Sequence, residues 1–575
     1  MAHRRSRPAG THAASLTLLG LLIAGAAAAQ PSIWRVGSGM GCNAINLDFA
    51  LLLARSNSAD DEIRLNANLS GVAMDLGDWD DDQYGELTIR GGFANCAANT
   101  PTSTTTLTAQ AAGSSPVLDV VLSGNDPATI RLERLILQGA ASGVSPLVVA
   151  NGSNVVIDLV NTDVLGATSS GIEVLGGARV DLDPLSEVSD SGSLTLDGGG
   201  VYCTGSGSEV FLAGDLVLNQ GARGGGAFLE SGCRLYLLDD AFIGANQAVR
   251  GGGVAVEGGG SLERPISFVN DFGVQISGNS AEIDGGGLWV ANGGSAQLWD
   301  TWLRGNEAIE RGGGIFATGS GSSVIVRRRS TTCFSEPRCS WIEDNQITSD
   351  VEDGFGTAVF VDAGADVVVV QTFIEGHAGP PVSRLLYVAG SGSTLLLEGV
   401  QLYANDTQTL FSAEAGASIT AAFVSAAGNT WGGGEPSAAI AAFASTRIDV
   451  RSSALADHGI WNDGPGNTID LDCVIADSLA GATVATASIV ADPLFLAPEA
   501  GDLRISAASP GVDYCDDSVY APIADDLALN PRGVDTPGVP NQSGTFDLGA
   551  YEVGSLLFAD GFESGDVSAW SSTSP

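Results

Sequence analysis

The chain contains no lysine: all 25 basic residues are arginine, set against 67 Asp and Glu for a net charge of −42. The missing lysine rules out a phosphate-cradling Gly-Lys-Ser/Thr loop. The acidic balance repels phosphodiesters and anionic lipid, so no nucleic-acid partner is expected. Histidine is almost as scarce, with four in all, of which His3 and His12 fall in the first 29 residues. His377 and His458 are too few for a His-rich metal motif, and no Ser/His/Asp order is present. No CxxC pair occurs among the eight cysteines, so a zinc site is not expected either. After residue 30 no stretch reaches the roughly 18 apolar residues of a membrane span. Aromatic residues make up 6% and charged residues 16% of the chain, yet 44% is hydrophobic. That composition supports a buried core and is not that of a disordered chain.

What the chain has in excess is glycine, 78 residues, and much of it recurs in register. Four segments rhyme: DLVLNQGARGGGAFL, AFIGANQAVRGGGVAV, VQISGNSAEIDGGGLWV and WLRGNEAIERGGGIFA. Each is an apolar stretch ending in Asn, a short polar gap, a Gly triplet and an alternating apolar strand. The asparagines are Asn219, Asn246, Asn279 and Asn306, and the register continues to Asn345 and Asn405. The triplets begin at Gly224, Gly251, Gly285 and Gly312, with another at Gly198. A strand-and-turn period of about 22–34 residues is a solenoid signature. Three short alternating strands per turn describe an all-β, right-handed parallel β-helix of about twelve coils. At about 4.8 Å per coil the rod is roughly 55–60 Å long. Inward residues such as Val254 and Val256, or Leu288 and Val290, are expected to stack on their equivalents. Glycine supplies positive φ at the sharp bends. Asn tolerates the left-handed region and can bond to the equivalent turn of the next coil, forming a ladder.

The repeats divide the chain. Residues 1–29 read as a signal peptide: Arg4, Arg5 and Arg7, an apolar core from Leu16 to Ile23, and a small-residue cleavage site between Ala29 and Gln30. Residues 30–115 hold an N-terminal cap, with a short capping helix over 46–54, and the first coils. Residues 116–460 are the β-helix. Residues 461–555, richer in Asp and Pro, form a C-terminal closing module, and 556–575 a flexible tail. Solenoid ends expose apolar surface and need such caps. An insertion at 327–340 carries a basic cluster and breaks the rhythm, as does a smaller one near 263–272. Eight cysteines in an exported chain favour disulfides. Spacing does not fix connectivity. It suggests Cys333–Cys339 across one short loop, Cys42–Cys96 and Cys473–Cys515 near the two ends, and Cys203–Cys233 as the remainder.

The coil motif resembles the GGA[I/L/V] and FxxN repeats of the polymorphic outer-membrane protein family, with FIGAN followed by GGGVAV as the nearest copy. That resemblance implies a right-handed β-helix displayed on a bacterial surface. Members of that family continue into a β-barrel, whereas here a different kind of segment follows the repeats. RGGFANC (90–96) resembles the entry to the first coils of exported β-helices. ADPLF (491–495), DLRISAASPGVDYC and FDLGAYE (546–552) resemble a closing module of the choice-of-anchor kind. FADGFESGDVSAW (558–570) resembles a recurring tail of exported proteins.

Chemistry has few places to reside. Asn161-Thr162-Asp163 and Asp239-Asp240 mimic two fragments of the polygalacturonase pattern, but the Gly-His-Gly and Arg-x-Lys fragments are missing. His377 falls at a ladder position, since FIEGH aligns with FIGAN, and His458 at a similar turn. The acidic stretch 75–86 is the candidate calcium loop, with Asp78, Asp80, Asp82 and Glu86 as oxygen donors. Asp516-Asp517 and Asp525-Asp526 are lesser candidates. Trp289, Trp299 and Trp302 lie within one coil, and alternation puts some of them outside, where rings stack on sugars. The expectation is an exported surface or extracellular protein, structural or adhesin-like and without catalysis, whose partners are surface glycans or the surfaces of host or neighbouring cells. A polysaccharide lyase or hydrolase is one alternative. A carbohydrate- or calcium-binding module is the other.

Overall fold

In the computed structural model the described residues are 32–553, except 111–114, 123, 125, 141–144, 265–272, 330–339, 350–354, 432–434, 437, 457–458, 517–519 and 521–522. The expected signal sequence with its Ala29/Gln30 junction, the expected Cys333–Cys339 pair, His458 and the expected tail therefore lie outside them.

The chain winds into a parallel β-helix. One wall runs from Ser32–Val36 to Thr468–Ala476, each strand pairing in parallel with its equivalent one coil on. A second wall runs through Thr301–Arg304, Ser340–Glu343 and Thr372–Glu375. A third, 14-stranded wall runs from Met74–Asp75 to Gly459–Asp463. A fourth, five-stranded strip, from Gln220–Arg223 to Gln346–Ile347, occupies the polar gap between ladder asparagine and glycine triplet. Its residues are extended and their backbone groups pair with the next coil, which satisfies them without a fixed side-chain pattern.

Apolar residues line up in columns because one register holds for coil after coil. Val180, Val210, Leu235, Leu262, Ala296, Val324 and Val367 succeed one another inside the first wall. All are essentially inaccessible to solvent. Val254 pairs with Leu288, and Val256 with Val290, as the alternation requires. Each buried aliphatic side chain contributes about 1.5–3 kcal/mol.

The ladder is continuous. Asn246 Oδ1 accepts from the backbone N–H (2.9 Å) and the Nδ2 (3.1 Å) of Asn219, while its own Nδ2 donates to Leu216 O at 2.8 Å. Asn279, Asn306 and Asn345 repeat the pattern. Asn405 and Asn429 continue it beyond His377. The left-handed residue of each bend is not the asparagine but its predecessor: Leu218, Ala245, Gly278, Gly305, Asp344, Gly376, Ala404 and Gly428 all have positive φ. The asparagine is selected for its paired donor and acceptor.

The triplet glycines have two separate causes. The first of each triplet is left-handed, as at Gly251 (φ 67°) and Gly312 (φ 63°). The second is crowded: a Cβ on Gly286 would sit 2.4 Å from the carbonyl oxygens of both Glu307 and Gly313. The arginine before a triplet folds back over the ring that follows it. Arg311 lies 5.0 Å above Phe316 and 5.4 Å from Phe360, and is held by both oxygens of Asp284. Arg223 covers Phe228 in the same way, at 4.3 Å.

A helix over Leu47–Ala54 covers the N-terminal end, and Asn46 Oδ1 caps it by accepting from Phe49 N at 2.8 Å. Disulfides join Cys42 to Cys96, Cys203 to Cys233 and Cys473 to Cys515. No helix among the described residues is long and apolar enough to cross a membrane. After the last coil, residues 491–553 turn back along the second wall. Arg328 Nη1 donates to Leu527 O (2.5 Å), Gln371 Nε2 to Asp525 O (3.0 Å) and Ala550 N to Ser425 Oγ (2.9 Å).

Candidate functional site

The acidic stretch does not gather its carboxylates around one point. Asp78 pairs with Arg55 at 2.5 Å and is largely exposed. Asp80 caps the short helix Asp81–Tyr84, its Oδ1 accepting from Asp82 N at 2.9 Å. Asp82 points to solvent. Glu86 donates its own backbone N–H to Asp60 Oδ1 at 3.0 Å. Burial, with Asp60, Asp81 and Asp158 nearby, pushes the Glu86 carboxyl up from its ordinary value. Among the described residues no group of three or more His, Cys, Asp or Glu side chains is arranged to hold a metal ion. Of the four expected calcium donors, Asp78 serves a local ion pair and Asp80 a cap, while Asp82 is exposed.

The polygalacturonase-like fragments are coil positions. Thr162 is fully buried, with Oγ1 donating to Leu132 O at 3.1 Å. Asp239 pairs with Arg264 at 3.2 Å. His377 is buried and occupies the ladder, and burial lowers its imidazole to about 4. His377 and Thr162 are thus withdrawn from solvent, whereas Asn161, Asp163 and Asp239 are half-buried and Asp240 is exposed.

The three tryptophans fall on three walls. Trp289 belongs to the arginine-covered ring column of the third wall, between Ala255 and Phe316. Trp299 lies under Arg327, 4.9 Å from ring centre to guanidinium. Trp302 points away from the core of the second wall and stacks on Trp341, with centroids 5.4 Å apart and planes 12° from parallel, but like Trp289 it is buried and presents no free ring face. Phe373 follows edge-on to Trp341 at 5.7 Å.

This second wall carries two outward columns. Trp302, Trp341, Phe373 and Gln401 succeed one another in one; Arg304, Glu343, Glu375 and Tyr403 in the other. The inward residues between them, Leu303, Ile342, Ile374 and Leu402, are fully buried and fix the orientation. Trp341 and Phe373 are only partly buried. Together with Glu343, Glu375, Gln401 and Tyr403 they line an open groove of about 430 Å³.

The returning chain forms the end of the groove. Tyr403 Oη donates to Glu499 O at 2.9 Å and Gln401 Nε2 to Gly501 O at 3.1 Å. Gln401 Oε1 accepts from Tyr551 Oη at 2.6 Å, which locks the amide orientation. Gly501 is required where it stands: its φ is 77°, and a Cβ would meet the Tyr403 ring at 3.0 Å. Arg304 Nε lies 3.2 Å from Glu343 Oε2 at the open side. Flat ring faces beside carboxylate acceptors are what a sugar ring requires, stacking through its C–H face and donating from its hydroxyls.

Of these residues, sequence reasoning had singled out only Trp302. The signal was present: the aromatic column lies four residues before each ladder position (WLRGN, WIEDN, FIEGH) and the polar column two before. No family model, no curated protein and no solved structure matches the chain.

Proposed function

We propose that this is an exported, adhesin-like parallel β-helix that holds glycans along its flank and performs no chemistry on them. The observation that carries the reading is the partly buried ring pair Trp341–Phe373 beside Glu343 and Glu375, in a groove walled by the returning chain, with the buried Trp302 stacked behind Trp341. The rigid wall fixes the ring spacing, so little freedom is lost on binding. Three disulfides agree with an oxidising compartment. The likeness of residues 491–552 to choice-of-anchor modules agrees with display at a surface. The second reading, a hydrolase, rests on Glu343 and Glu375 standing in register on neighbouring strands. Such strands are about 4.8 Å apart, near the spacing of paired carboxylates that cleave glycosidic bonds. A glycan and polysaccharide array scored for both retention and cleavage separates the two. Retention that is lost in Trp341→Ala, with no new reducing ends, is the expected result. Cleavage of any polysaccharide would replace this reading with the hydrolase.

A further inference from the structure

We infer that the groove and the docked returning segment form one coupled unit: a sugar is held only while residues 491–553 lie against the second wall, and the bound sugar in turn holds them there. This rests on the glycan reading above and adds the regulation of that site. The rod supplies Trp341, Phe373, Gln401 and Tyr403 to the groove, whereas Ala500 and Gly501 come from the segment. The two sets interlock. The Tyr403 ring lies between two left-handed glycines, Gly428 of the rod and Gly501 of the segment, where a Cβ would stand 2.9 Å and 3.0 Å from it. Phe373 and Tyr403 pack against Leu503, Leu527, Ala550 and Tyr551, all from the segment. Gln401 bonds to the segment through both ends of its side-chain amide, to Gly501 O and Tyr551 Oη.

Undocking therefore does more than remove one wall. It strips Phe373 and Tyr403 of the residues they pack on and lets the Gln401 amide turn, so a sugar would have to order them again. The open form is the poorer binder, and apparent affinity falls with the fraction of docked molecules. Linkage makes the effect mutual: a sugar that prefers the docked form stabilises docking by the same factor. The segment carries a lever for this outside the groove lining. Glu552 and Asp547 are buried with Arg532, Asp513 and Asp526, and Glu398 and Arg328 face this set from the rod. Burial pushes both carboxyls up, so alkaline pH charges them and loosens the docking.

The test places the full disulfide-bonded chain on an array of uncharged glycans at pH 5 and pH 9, so that only the protein titrates. Retention should fall about fivefold between the two as the docked fraction falls. Glu552→Gln should keep most of its retention at pH 9, with Asp547→Asn as the second variant if the first does not fold. The array glycan retained most strongly is then added as the free oligosaccharide at pH 5. At about ten times its half-saturation concentration it should slow amide exchange about tenfold across 498–505 and 548–552. Most of these residues do not line the groove, so contact alone does not slow them. Trp341→Ala should abolish the slowing. A glycan retained through Trp341 that leaves this exchange unchanged overturns the coupling and leaves the glycan reading standing. So does retention that persists at pH 9 while exchange across 491–553 rises. A loss at pH 9 that both carboxyl variants copy from the parent places the lever elsewhere and overturns the inference as well. If no glycan is retained at either pH, both readings fall.

Discussion

Asn345 donates its backbone N–H to Nδ1 of His377 at 3.1 Å, the bond that every other ladder residue in this stretch gives to an asparagine oxygen. On the other side of the ring Nε2 lies 2.9 Å from Ile342 O, where an asparagine would place its Nδ2. The imidazole thus imitates a carboxamide as the neutral Nε2–H tautomer. A carboxamide would also accept from Asn345 Nδ2, as Asn345 Oδ1 does from Asn306.

Acid should therefore weaken the rod at this coil. Burial lowers His377 from 6.5 to about 4. Above pH 6.5 folded and unfolded chains are both neutral there, and nothing is lost. Between about 6.5 and 4 the unfolded chain takes up a proton that the folded one refuses, so stability falls with pH by about 3 kcal/mol. His377→Asn removes that proton uptake and restores the ladder. Thermal melts at pH 4.5 and 7.5 should show a smaller acid shift for the variant; the same shift in both would refute this account of His377.

Breaking the ladder should be costly without any change in charge. Asn279 Oδ1 receives Asn246 N (3.1 Å) and Nδ2 (3.0 Å), and its Nδ2 reaches Ile243 O and Asn306 Oδ1, both at 2.9 Å. Asn279→Ala removes all four of these bonds and leaves the buried Asn246 N–H without its ladder acceptor, a loss of about 3 kcal/mol. Denaturant unfolding measures it. Because coils contact mainly their neighbours, amide exchange should rise first in the coils on either side.

Two glycines separate crowding from backbone strain. Gly286 is not left-handed, and Gly286→Ala should disrupt its coil because the new methyl meets two carbonyl oxygens at 2.4 Å. Gly293 has φ 81° with nothing within 4 Å of a Cβ. Gly293→Asn should therefore stay within about 1 kcal/mol of the parent, since Asn tolerates that region. Yield of folded protein and melting temperature distinguish them; equal effects would mean that stacking distance is not what the triplets serve.

Ladder, triplets and apolar columns were legible in the chain because every coil meets the same constraint, so each residue is written several times. The ring groove was half legible. Alternation placed some of Trp289, Trp299 and Trp302 outside, but which wall each occupies depends on where the chain bends between strands. Only the ladder register reveals that Trp341 and Phe373 extend the column of Trp302. The acidic stretch was legible only as a cluster, because carboxylates look alike in sequence whether they share an ion or serve separately, as Asp78 with Arg55 and Asp80 as a cap do. The return of residues 491–553 along the second wall was not legible. Bonds such as Arg328 to Leu527 and Tyr551 to Gln401 join residues 199 and 150 positions apart and occur once each, so no repeat announces them.

That returning segment should loosen as pH rises. Its docking centre is a buried set: Arg532 bonded to Gly549 O, Ala550 O and Glu552, with Asp513, Asp526 and Asp547 close by and Glu398 facing it from the rod. Burial raises Asp547 to about 7 and Glu552 to about 9, outweighing the pull of Arg532 on each. Glu552 Oε2 has no hydrogen-bond partner, as suits a protonated carboxyl. A carboxyl raised in the folded state lends stability that is complete below its unfolded value and lost as pH climbs through the folded one. Docking should thus be firm near pH 5 and weaken progressively towards pH 9. Amide exchange, corrected for its intrinsic pH dependence, should show residues 491–553 opening at high pH while the coils stay protected. Cys473–Cys515 tethers the middle of the segment to the last coil, so it should open without leaving. Glu552→Gln copies the protonated form and should flatten the dependence; a variant that opens with the parent's pH profile would place the titrating group elsewhere.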